Sequence, residues 1–283
     1  MKRISARLES TGAACYNTLT ERQGVSRVNY AISSAVRRNN RPNKPCEDYL
    51  VCREGCFVVA DGVTQSADEY REGMAVSRAA QAARITAEAV AGALEAAGDP
   101  TDAAPEAVRR AVDAVAAFNA GAPEAAFPAA AVFVAGAIRG SELHFLYVGD
   151  SMIVLVRGGA RIRLSEQQTA HLRVYGSTSG LGITRRALYD TITNNAGHPL
   201  GYGVIDGDAR ALDFLRAAHI RLLPGDRVIL SSDGIDKYLA YAPVSELASL
   251  APEALLDRSA AYDQPPYNSY ADDKAVIAID IIG

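Results

Sequence analysis

The spacing of apolar positions changes several times along the chain, and each change predicts an element. Residues 1–27 are polar and mixed and predict an irregular N-terminal segment. Val28 to Ser33 predicts a first strand. The basic stretch from Arg37 to Pro45, punctuated by Asn and Pro, predicts a loop. Two short apolar runs, Tyr49–Cys52 and Cys56–Ala60, surround Arg53-Glu54-Gly55 and predict a hairpin. From Asp68 to Ala97 the density of Ala predicts a long helix, stopped by Gly98-Asp99-Pro100. A second helix is expected from Thr101 to Asn119, where Val108, Val112, Val115 and Phe118 fall on one face.

Beyond a break at Gly121–Pro128 the pattern becomes strand-like. The segments 129–140, 142–150, 151–159 and 160–165 read as consecutive antiparallel strands with Gly-containing turns. Residues 166–218 read as a loop-rich insertion, too long for a simple connection. A turn at 222–226 leads into a buried strand, Arg227–Ser232. Two short helices are expected within 235–260, and Ala275–Ile282 forms a last strand. There is no internal repeat and no low-complexity linker, so one domain over 28–283 is the simplest organisation.

Composition narrows the function classes. Of 283 residues, 49% are hydrophobic and 22% charged, an ordinary globular mixture. The net charge of −4 disfavours a nucleic-acid partner, which would call for a basic excess. No apolar run reaches roughly 18 residues, which argues against a membrane span. No secretory leader is evident behind the basic MKRISARLES start, so a cytoplasmic protein with reduced cysteines is expected. Cys52 and Cys56 flank a short turn, and no second Cys/His pair completes a zinc site.

The recurring feature is an apolar strand that stops at Asp: VVADG (58–62), FLYVGDS (145–151), VILSSDG (228–234) and, in reverse order, YADDKAVIAI (270–279). A carboxylate at a strand end is partly desolvated and held by rigid backbone. Several converging there would repel one another and raise each other's pKa, a penalty that a divalent cation removes. An all-oxygen ligand set favours Mg²⁺ or Mn²⁺ over zinc or copper.

The order Glu47-Asp48, VVADGV (58–63), VGDS (148–151), SSDG (231–234) and Asp272-Asp273 before a closing strand resembles the metal-dependent protein phosphatases of the type 2C serine/threonine class. The likeness runs over residues 28–283. It implies an α+β fold, a four-layer α-β-β-α sandwich of two antiparallel β-sheets flanked by antiparallel helix pairs. It implies a phosphatase acting on phosphoserine and phosphothreonine in proteins through a metal-bridging hydroxide, with two Mn²⁺ or Mg²⁺ ions and a weaker third. Asp61 then corresponds to the aspartate bridging both metals, and the Gly62 carbonyl to a ligand of one of them. Glu47 corresponds to the acid holding that metal's water shell. Asp233 and Asp272 correspond to carboxylates on the other metal, with Asp273 as the alternative register. Asp150 corresponds to the third-metal residue. Residues 166–218 include the expected flap. A phosphorylated protein is the implied substrate and a cognate kinase the implied partner.

The chain departs from the family pattern at two places. The Arg that grips substrate phosphate usually lies a few residues before Asn-Glu-Asp. Here the run is Arg41-Pro42-Asn43-Lys44-Pro45-Cys46-Glu47-Asp48, which leaves Arg41 and Lys44 as the candidate phosphate cations. The residue after Asp-Gly is Val63 and not the His that could protonate a leaving group, a His that bacterial members often lack. His144, His171, His198 and His219 carry no motif. The altered cation region keeps two other readings open: a catalytically impaired phosphatase-like binding module, and a small-molecule phosphatase on the same fold.

Overall fold

A computed structural model of the chain describes residues 28–64, 70–122, 127–172, 185–267 and 271–283. The irregular segment expected at 1–27 lies outside the described residues. Among the described residues ten strands form two five-stranded antiparallel sheets. The first sheet has the order β1 (Tyr30–Arg37), β10 (Lys274–Ile281), β9 (Arg227–Ser231), β6 (Met152–Arg157) and β7 (Ala160–Arg163). The second has the order β2 (Asp48–Arg53), β3 (Cys56–Gly62), β4 (Ala131–Arg139), β5 (Glu142–Val148) and β8 (Arg216–Arg221).

The central strands explain the continuous apolar runs. β4 lies mid-sheet with eight of its nine residues buried, and β9 is buried throughout. Between the sheets sit Phe57, Val59, Val134, Phe145, Ile153, Leu155, Leu230, Ile277 and Ile279. The far face of the second sheet is covered by α1 (Arg78–Ala96) and α2 (Ala104–Asn119) through Ala83, Ala87, Val90, Val108 and Val112. Small Ala side chains let these helices approach the sheet closely, at little cost in side-chain entropy. The far face of the first sheet is covered by three short helices, α4 (Asp236–Tyr241), α5 (Val244–Ser249) and α6 (Pro252–Ser259), through Tyr238, Leu239, Leu247 and Leu255. The molecule is therefore the layered α+β sandwich expected. Among the described residues no helix is long and apolar enough to cross a membrane.

Several boundaries differ from the sequence expectation. The first strand begins at Tyr30 and runs through Arg37, because all eight of its residues pair with β10. The first long helix starts at Arg78, not Asp68: Ser77 caps it, its hydroxyl accepting from the Ala80 N–H at 3.0 Å. The four consecutive strands are two hairpins in different sheets. β5 ends one sheet's hairpin and β6 begins the other's, so the VGDS turn carries the chain from sheet to sheet. Within 166–218 the described part holds α3 (Arg185–Ile192), a 3-10 turn (Ala209–Phe214) and the edge strand β8. β8 escaped the pattern because five of its six residues are exposed, which erases alternation. Three short helices, not two, fill 235–260.

This topology brings the Asp-bearing strand ends to one rim. Asp48 opens β2 and pairs in register with Asp61 near the end of β3. Met152 at the start of β6 and Val276 near the start of β10 both pair with Ser231 at the end of β9. Asp150, Asp233, Asp272 and Asp273 therefore sit beside these same strand ends.

Candidate active site

The two Asp-Gly steps are fixed by close packing. A Cβ on Gly62 would lie 2.6 Å from the Ala79 carbonyl group, where α1 begins. A Cβ on Gly234 would lie 1.9 Å from the Asp273 carbonyl oxygen. Only glycine lets each strand end pass so near its neighbour, and each passage sets the adjacent aspartate against the rim. The Gly62 N–H donates to the Glu47 carbonyl at 3.1 Å, tying the end of the strand that carries Asp61 to the start of the strand that begins with Asp48.

Asp61, Asp233, Asp150, Asp272 and Asp48 act on one another through space. Burial first, then the charges of Asp48, Asp233, Asp272 and Asp150, push the Asp61 carboxyl well above its ordinary range. Burial, then Asp150, Asp272 and Asp236, push Asp233 up to about 8, and Asp233 shares a hydrogen bond with Asp61. Asp150 is raised mainly by burial, opposed by the Thr169 hydroxyl that donates to its Oδ2 at 2.6 Å. Asp48 is raised by burial and by Asp273, Asp233 and Asp272, against a 2.6 Å hydrogen bond from the Ser232 hydroxyl to its Oδ2. Its other oxygen, Oδ1, is buried with no hydrogen-bond partner. These are the signs of an anionic ledge awaiting positive charge.

Glu47 turns the other way. Its carboxylate accepts from Thr64 Oγ1 at 2.6 Å, from Ser77 Oγ at 2.6 Å and from the Tyr70 hydroxyl at 3.0 Å. Lys44 completes this pocket. Its side chain is 4% exposed, and its Nζ stands 3.3 Å from Glu47 Oε2, 3.0 Å from Asp272 Oδ1 and 3.1 Å from Asp273 Oδ2. Burial works to lower the Lys44 pKa, but the three carboxylates outweigh it and hold the amine firmly charged. Asp273 is bound on both oxygens: Oδ1 by the Asn39 N–H and Nδ2, and Oδ2 by the Glu47 N–H at 3.1 Å. Asp272, a third exposed, links the two regions. One of its oxygens meets Lys44 and its charge acts on Asp61 and Asp233.

The residues expected from sequence are thus distributed as follows. Asp61, Gly62, Asp150, Asp233 and Asp272 share the rim. Glu47 and Lys44 lie beside it, joined to each other. Arg41 is half-buried in the same loop, with its backbone N–H donated to Asn39 Oδ1 at 2.8 Å. Val63 packs with Ala130, Val132 and Val204. Sequence reasoning gave no role to Asp48 or Asp236. Asp236 is buried, holds Lys237 at 2.5 Å and acts on Asp150 and Asp233. Its three-residue spacing from Asp233 across a helical turn was the available signal. The histidines have structural partners: His144 Nδ1 lies 2.8 Å from Thr101 Oγ1, His171 Nε2 lies 2.9 Å from the Leu200 carbonyl, and His198 Nδ1 accepts from the Leu200 N–H. His219 is exposed on β8, its ring beside that of His144.

Among the described residues no three His, Cys, Asp or Glu side chains stand as a ready-made ligating group. The chemistry of the rim nonetheless suits hard cations. The donors are all oxygen, they are held on strand ends, one buried oxygen is unpartnered, and their mutual repulsion is what a divalent ion would relieve.

A two-sheet sandwich with half-buried carboxylates gathered at one rim is the arrangement that the likeness to the type 2C phosphatases implies. The protein phosphatase 2C sequence pattern matches residues 37–262, and the chain belongs to this family. Solved structures agree on the fold. The serine/threonine phosphatase PstP/Ppp of Mycobacterium tuberculosis has a TM-score of 0.62 and 18% identity, with 90% of this chain and 99% of that one covered. A further structure of the PstP catalytic domain, with the same figures, is in complex with two manganese ions. The Ser-Thr phosphatase MsPP of Mycobacterium smegmatis has a TM-score of 0.59 and 20% identity over 91% and 100% of the two chains. PppA of Pseudomonas aeruginosa, described as a regulatory component of T6SS, has a TM-score of 0.61 and 18% identity over 91% and 99%. No curated protein matches the chain by sequence.

Proposed function

We propose that the protein hydrolyses phosphoserine and phosphothreonine in protein substrates, with Mn²⁺ or Mg²⁺ held at the carboxylate rim. The observation that carries this reading is the set of strand-end aspartates whose carboxyls are raised by one another, with Asp48 Oδ1 buried and unpartnered. When bound, two hard cations supply charge neutralisation for phosphate oxygens and a water acidic enough to act as nucleophile at neutral pH. Asp61, Asp233, Asp272, Asp48 and the Gly62 carbonyl are the groups that would hold these ions. Asp150, held by Thr169, would serve a third, weaker ion.

Each residue has a further task besides binding. Ser232 orients Asp48 through the 2.6 Å hydrogen bond while accepting from the Ala275 N–H at 2.9 Å, so the β9 end and the β10 start are fixed together with that carboxylate. Arg41, half-buried in the same loop, is the candidate cation for the substrate phosphate that the resemblance leaves beside Lys44, whose amine binds three carboxylates. Val63 has no proton to give, so this position delivers nothing to the leaving alkoxide. The substrate is a phosphoprotein and its kinase the opposing partner, both in the cytoplasm.

The test is release of phosphate from a phosphothreonine peptide by purified protein, with and without Mn²⁺. Turnover that requires the ion is expected. Folded protein that is inactive with Mn²⁺ would defeat the reading in favour of a binding module. Free phosphorylated metabolites assayed beside the peptide distinguish a small-molecule phosphatase.

A further inference from the structure

Lys44 stands among three carboxylates beside the rim. It is reached by carboxylates from two distant parts of the chain, Glu47 beside it in sequence and Asp272 and Asp273 more than two hundred residues away. The three Nζ–O distances span 3.0–3.3 Å and the side chain is buried. Glu47 is saturated there: three hydroxyls and the amine take up its two oxygens. Its carboxylate therefore faces a protein cation and not the ledge of Asp61 and Asp233. A charged amine three ångströms from three acids does electrostatically what a metal ion does, with one charge in place of two.

We propose that Lys44 is a tethered counter-cation of this centre: its amine takes the place of a divalent ion on the Glu47 side and confines metal binding to the carboxylates around Asp61 and Asp233. The inference rests on the phosphatase reading only in taking those carboxylates as a divalent-cation centre. Asp272 is the hinge of the arrangement. Lys44 takes its Oδ1 and leaves its other oxygen for an ion, so the same carboxylate serves the fixed cation and the exchangeable ones. Lys44 is a positioning residue in this sense, and it makes no contact with substrate phosphate.

The experiment is calorimetric titration of Mn²⁺ into the full chain, comparing wild type, Lys44→Met and Glu47→Gln, with far-UV circular dichroism confirming that each is folded. Lys44→Met is expected to bind one more Mn²⁺ per chain than wild type. Glu47→Gln, with Lys44 intact, is expected to keep the wild-type stoichiometry and an affinity within about threefold, because Glu47 serves the amine and not an ion. An unchanged or smaller ion count in Lys44→Met overturns the inference. So does a loss of about tenfold or more in Mn²⁺ affinity in Glu47→Gln, the effect of removing a group that holds a metal's water shell. If Lys44→Met does not fold, Glu47→Gln decides alone. Wild type that binds no Mn²⁺ defeats the phosphatase reading. The Lys44 inference is then separately decided by whether Lys44→Met gains binding or stays blank.

Discussion

Two acidic regions lie side by side at the rim, and they are balanced in opposite ways. Around Lys44 every carboxylate has a protein partner: Glu47 has three hydroxyls and an amine, and Asp273 has Asn39, a backbone N–H and the same amine. Around Asp61, among the described residues, no protein cation balances the Asp61 and Asp233 carboxyls, whose strongest neighbours are further carboxyls, and Asp48 keeps a buried oxygen without a partner. The first region is complete as folded, and the second is built for an added charge. Acidic composition alone does not mark a cation centre. What marks it is acid left uncompensated by any protein cation at a half-buried rim.

The largest way to break this contrast is to remove its centre. Asp61→Asn should lower phosphopeptide turnover by about 10³-fold, the scale of losing a principal electrostatic group. The same change should raise the stability of the metal-free protein, since it relieves repulsion. Turnover within tenfold of wild type would move the centre elsewhere. Next comes Lys44→Met measured in EDTA. Leaving three carboxylates without their amine should cost about 3–5 kcal/mol in urea unfolding. A loss below about 1 kcal/mol would show that the pocket is not balanced by Lys44.

The pH dependence sharpens the same comparison. Folding raises the Asp233 carboxyl from an ordinary aspartate value to about 8, so the folded chain holds a proton that the unfolded chain releases. Its contribution to stability is present below about pH 4 and is lost as pH rises through 8. Metal-free protein should therefore lose stability across that window, and saturating Mn²⁺ should flatten the loss. Thermal unfolding in EDTA and in Mn²⁺ at a series of pH values checks this. A metal-free profile that is flat across the window would contradict the coupling of Asp233 to its neighbours. The smallest effect is expected at Ser232. Ser232→Ala removes one hydrogen bond to Asp48 and one from Ala275, and should cost about 1–3 kcal/mol with the fold retained. It should also weaken Mn²⁺ binding by about tenfold, as loss of a residue orienting a ligand does.

What could be read from the chain follows the range of the forces involved. The Asp-ended strands were legible because burial on both faces leaves near-continuous apolar runs, as in β4 and β9, and a carboxylate interrupts such a run only at its edge. The start of α1 was not, because Ala-rich propensity extends past it, while the boundary is set by Ser77, whose hydroxyl also donates to Glu47. β8 was hidden by its exposure at a sheet edge. The pairing of Lys44 with Asp272 and Asp273 has no local signature, because it exists only once β1 and β10 lie together. For the same reason the sequence drew attention to Glu47, while the fold turns its neighbour Asp48 toward the Asp61 ledge.

The most direct test of the central claim is anomalous diffraction from a crystal of the protein soaked in Mn²⁺. The account predicts anomalous density between Asp61 and Asp233, within reach of Asp48 and Asp272, and none in the pocket between Lys44 and Glu47. Density in that pocket with none beside Asp61, or a clean map over the whole rim, would contradict it.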